Sequence, residues 1–232
     1  MIKKYSVENM GSSDLGWLQS KFHFSFADYF NRNNMNFGVL RVLNDDYIHP
    51  HSGFDTHPHK NMEIVSYILE GKLSHKDSMG NEKSLSRGNF QYMSAGTGVL
   101  HSEHNNYDVL TRILQIWILP DEQGLAPNYG DFIYDESNRK NKFFHAVSNV
   151  NGNAPIKIHQ DANIYVAELE KDKELSFTVA KNRQCYLVQA EGSASINDIT
   201  LNARDALTSV EETLNIKTLE NSHFLIIEMM KA

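Results

Sequence analysis

Eleven histidines occur in this chain of 232 residues, and four of them (His49, His51, His57 and His59) fall within the stretch HPHSGFDTHPH. A neutral imidazole offers one ring nitrogen to a borderline metal, so clustered imidazoles raise the question of a metal site. In an extended strand, residues two apart project from one face about 6.5–7 Å apart, so His57 and His59 can reach one ion. Pro58 between them has no N–H, which suits an edge strand or a bulge. A second pair, His101 and Glu103, lies in AGTGVLHSEHN and shares a face by the same alternation. Facing side chains on neighbouring strands stand about 5 Å apart, so the two pairs converge if their strands are adjacent. Three imidazoles and one carboxylate leave coordination positions open, the pattern of a reactive site; a closed structural site uses four tight ligands, often thiolates. Spacing alone leaves the alternative that HxH and HxE are polar alternation on a surface.

The elements that must position these residues read as strands. Short apolar or alternating runs such as FGVLRVL, MEIVSYILE, RILQIWIL, ANIYVAEL, QCYLVQA and HFLIIEMM recur along the chain, parted by turn clusters such as DSMGNE and NVNGNAP. Helical periodicity is scarce, and this spacing predicts an antiparallel β sandwich or barrel. YILEGKLSH and LVQAEGSASI each place an apolar strand before Glu-Gly and a polar strand after it, which suggests a duplicated barrel. The polar run ESNRKNK and the connector NVNGNAP place a boundary within 130–155, dividing the chain into 1–130 and 131–232. The second part carries no equivalent histidines. Positions corresponding to His57 and His59 fall near Thr178 and Ala180, so that barrel is expected to be metal-free, with His223 structural.

A net charge of −7 with no Lys/Arg cluster argues against direct nucleic-acid binding. No apolar run approaches the roughly 18 residues of a membrane helix, and MIKKYSVENM lacks the apolar stretch of a signal peptide, so the expected location is the cytoplasm. Cys185 is the single cysteine, which excludes an internal disulfide; its strand-like neighbours make it a buried small hydrophobe.

HxH(x)3E with Gly71 beyond Glu63, and Gly88 followed by Ser94-Ala95-Gly96, His101 and Asn105, resemble the two cupin motifs, with serine where many cupins have proline. GWLQSKFHFSFADYF, FGVLRVLNDD, GFDTHPHKNMEIVSYILEGKLSHKDSMGN and QYMSAGTGVLHSEHN together resemble the pirin family of bicupins, and the length resembles its short bacterial quercetin 2,3-dioxygenase-like members. The resemblance implies two jelly-roll-like cupin β-barrels packed face to face. It also implies one divalent metal, usually iron, held at His57, His59, His101 and Glu103; nickel, cobalt, manganese, copper and zinc accept the same donors. Glu63 shares the parity of His57 and His59 and is the ligand in many other cupins. The pirin pattern favours Glu103, with a bulge near Pro58 or a longer reach expected to keep Glu63 off the metal, as a supporting or core-edge partner. His49, His51, His75 and His104 are expected to stay off the metal, His75 as a hydrogen-bonding group. Phe54 and Met93 flank the motifs as core residues that could also line a cavity. The implied activity is opening of a flavonol by O2 with loss of CO, with Glu103 taking the enol proton. The alternative is a metal- or redox-responsive regulator that acts through a protein partner.

Overall fold

The computed structural model describes residues 1–133 and 135–231. It is built almost wholly from antiparallel strands, which group into two compact units. The division is not a single cut. One unit holds residues 11–134 with 158–160; the other holds 135–157 and 161–232 together with the first ten residues.

In the first unit a seven-stranded sheet runs in the order Asn128–Phe132, Phe90–Ser94, Glu63–Glu70, Thr111–Ile118, Leu40–Ile48, Leu18–Phe22 and Gly11–Asp14. A four-stranded sheet runs Ser52–His59, Val99–Asn105, Lys72–Asp77 and Glu82–Ser86. Apolar side chains of the large sheet (Leu18, Ile48, Ile68, Ile113) close on Leu73 and Leu85 of the small one, forming a dry core between the layers. Each such fully buried side chain contributes about 1.5–3 kcal/mol relative to exposure. The inward face of Val99–Asn105 is set by strict alternation: Val99, His101, Glu103 and Asn105 are buried, while Leu100 is exposed.

The second unit repeats the count. Its seven-stranded sheet includes Arg183–Glu191, Ser222–Met230 and Ala162–Leu169, with Ile2–Tyr5 at one edge on Ala206–Val210; its four-stranded sheet includes Ala194–Ile196 and Leu214–Thr218. Glu-Gly turns link corresponding strands in both units, with Gly71 and Gly192 at φ +70° and +73°, a region closed to most side chains. Cys185 is fully buried in this core, and burial pushes its thiol up to about 12, so it is inert packing.

Candidate metal centre

Ser52–His59 is the edge strand of the small sheet and pairs antiparallel with Val99–Asn105. His101 lies opposite His57, Val99 opposite His59, and a register shift between His101 and Glu103 sets Glu103 opposite Phe54. A close approach at Gly53 makes this pairing feasible, because a Cβ there would stand 2.3 Å from the Glu103 carbonyl oxygen. The strand pairing brings the His57, His59 and His101 rings to centroid separations of 4.5–4.9 Å. One ring nitrogen from each of the three lies within 4.8 Å of the others.

The three imidazoles are arranged as lone-pair donors. Burial, with the neighbouring His101 and His57 adding to it, pulls His59 down to about 4. His101 is likewise lowered to about 4 by burial, against the opposing pull of Glu103. Both rings are therefore neutral at physiological pH. His57 Nδ1 is 2.6 Å from the Asp55 carbonyl oxygen. A carbonyl can only accept, so Nδ1 carries the proton and Nε2 keeps the lone pair. Both ring nitrogens of His101 are buried and have no hydrogen-bond partner among the described residues. Such an orphaned ring among converging imidazoles fits a bound metal ion, which would supply the missing partner.

Glu103 is held from the opposite sheet. Ser66 Oγ and Gln91 Nε2 face its Oε1 at 2.9 and 2.8 Å, and Gln115 Nε2 donates to its Oε2 at 2.6 Å. With His75 and His101, Glu103 forms a second donor cluster within 4.8 Å. Hydrogen bonding occupies the His75 ring: Gln91 donates to Nδ1 at 3.0 Å, leaving Nε2 to donate to Asp77 at 3.2 Å. Its lone pair is spent on Gln91, in keeping with the hydrogen-bonding role expected from the sequence.

The expected bulge near Pro58 is present, between Phe54 and His57, but it precedes His57 and leaves Glu63 unaffected; the break after His59 is what sets Glu63 apart. The edge strand ends at His59, and Glu63 opens the next strand in the other sheet. There it accepts from Ser94 Oγ at 2.7 Å, and burial raises its carboxyl above the usual range. His51 pairs with Asp108 and the half-buried His104 with Asp55. Met93 is core, whereas Phe54 lines the cavity described next.

A cavity of about 360 Å³ opens over His57, His59, His101 and Glu103, walled by Trp17, Leu18, Phe22, Phe26, Phe54 and Trp117. Trp117 also sets its ring edge-on to His59, centroids 4.9 Å apart. Sequence reasoning missed Ser66, Gln91, Gln115 and Trp117. The signal available was a single polar residue on the inward parity of each otherwise apolar strand (EIVSYILE, FQYMS and RILQIWIL).

Comparison with known proteins bears on this site. Residues 5–118 match the family model Pirin, and residues 146–229 match that of the quercetinase C-terminal cupin domain. The chain is 39% identical over 230 residues to a pirin-like protein of Caulobacter vibrioides, covering 98% of this chain and 99% of that one. It is 37% identical over 231 residues to the quercetin 2,3-dioxygenase of Escherichia coli K12, covering 99% of each. Among solved structures, the bacterial pirin YhhW of E. coli in complex with nickel(II) superposes with a TM-score of 0.93 at 35% identity over the full length of both chains.

Proposed function

Since the chain belongs to the pirin family, with a divalent-metal donor set in its first cupin domain, we propose that it is a dioxygenase that opens a flavonol-like enol with O2 and releases CO. The supporting observation is that His57, His59 and His101 converge within 4.8 Å, that the clamped Glu103 lies within 4.8 Å of His101, and that all four line one aromatic-walled cavity. A flat aromatic substrate gains by burial there, and its acidic enol oxygen is directed to the polar floor. His57, His59, His101 and Glu103 are the proposed ligands of one divalent ion, Fe(II) first among the candidates. When bound, the ion supplies Lewis acidity toward an anionic oxygen and a redox partner for O2.

The chain's own residues do the rest. Trp17, Phe54 and Trp117 exclude water and hold the rings of the substrate. Glu103 takes up the enol proton. Two donors face its Oε1 and one its Oε2, so Oε2 keeps the freer lone pair for this purpose. Ser66, Gln91 and Gln115 hold the carboxylate in position throughout.

Oxygen uptake and CO release with quercetin, on protein loaded separately with Fe(II), Ni(II), Co(II), Mn(II) and Cu(II), test this reading. Metal-dependent uptake with CO, lost in His101→Ala, is the expected result. One ion bound per chain with no uptake for any metal would overturn it, in favour of a metal-responsive regulator with a protein partner.

A further inference from the structure

The donors that hold Glu103 belong to a row that crosses the large sheet. Gln91, Ser66, Gln115, Asn44 and Phe22 lie in register on five adjacent strands, each directly opposite the next. Residues paired in this way project from one face, here the inner one. The first three members point polar groups at Glu103. Asn44 is the fourth, one strand beyond Gln115 and about 5 Å farther across the sheet. It lines the aromatic cavity and is only 3% exposed. Its Oδ1 is buried and accepts no hydrogen bond from the described residues. Phe22, the fifth member, closes the row with an apolar ring.

A buried amide oxygen without a donor is unfavourable unless something that enters the cavity supplies one. The lining combines apolar rings with Ser20 and Asp46, so the geometry calls for a flat, largely apolar molecule carrying a donor at this place. We propose that Asn44 is a specificity-determining residue, whose amide oxygen receives a ring hydroxyl of the substrate remote from the enol oxygen. The cavity then selects hydroxylated aromatic enols over bare ones. This rests on the flavonol reading and deepens it. Sites of this kind discriminate strongly, because an analogue without the hydroxyl leaves the acceptor buried and unpaired.

The protein carries its own reporter, since its two tryptophans, Trp17 and Trp117, both line the cavity. Zinc-loaded protein, which is redox-silent, is titrated anaerobically with quercetin and with 3-hydroxyflavone, and quenching of tryptophan fluorescence gives each Kd. Wild type is expected to bind quercetin at least tenfold more tightly. Asn44→Leu brings the ratio to about 1 by weakening quercetin alone, while Asn44→Asp, which keeps an acceptor, preserves the preference. A wild-type ratio near 1 overturns the proposal by itself, whatever the variants do. An unchanged ratio in Asn44→Leu also overturns it and leaves the flavonol reading standing. Wild type binding neither compound overturns both.

Discussion

At the scale of single residues, the proposed metal centre depends on side chains outside the proposed ligand set. Gln115 and Ser66 fix the Glu103 carboxylate by direct hydrogen bonds. Partners of this kind are typically worth 10–100-fold in metal affinity. Gln115→Leu is therefore expected to lower metal affinity about 10–100-fold with the far-ultraviolet circular dichroism unchanged, as read by competition against a chromophoric chelator. Gly53 acts by absence of a side chain. Gly53→Ala places a Cβ against the Glu103 carbonyl, which should cost about 1–3 kcal/mol in urea unfolding and reduce bound metal per chain. The histidine pairs were legible in the sequence because period-2 alternation is local. The hydrogen-bonding row was not, because register between strands far apart in sequence is needed to see that Ser66, Gln91 and Gln115 meet one carboxylate.

At the scale of elements, the break after His59 decides the fate of two carboxylates that parity alone treats alike. Carried to the opposite sheet, Glu63 is buried with Ser94 and lies 3.4 Å from the His159 backbone N–H. Its raised carboxyl has a definite sign in stability. The folded chain holds this proton more tightly than the unfolded one, so the contribution is present at low pH and is lost as pH rises through the raised value. Glu63→Gln is expected to melt about 2–4 °C above wild type at pH 8, equivalent to about 1 kcal/mol in a chain of this size, with the gap closing below about pH 4. Thermal scans from pH 4 to 8 check the trend. Strand existence and the Glu-Gly turns were readable from the local order of apolar and turn residues. The sheet to which each strand belongs was not, since a two-residue turn and a change of sheet look alike in sequence.

At the scale of the molecule, two units of seven-plus-four strands share one plan, yet the donor cluster lies in the first. Metal binding is therefore expected to stabilise the folded chain by mass action. At a free metal concentration of about 100 times Kd the gain is about 2.7 kcal/mol, or about 5–10 °C in Tm. His101→Ala should remove the shift while leaving the apo melting curve close to wild type, a comparison scanning fluorimetry can make.

The edge strand Ile2–Tyr5, paired with Ala206–Val210, has a consequence for synthesis on the ribosome. Ile2–Tyr5 must wait, unpaired, until Ala206–Val210, about two hundred residues later, has been translated, and the loop this pairing closes is a long one. The unit bearing the histidines needs no such delay, since its last segment is residues 158–160. Nascent chains should thus acquire the metal pocket before the other half is complete. A substitution that blocks this edge pairing would be felt there, in the late-closing half, and not at the histidines.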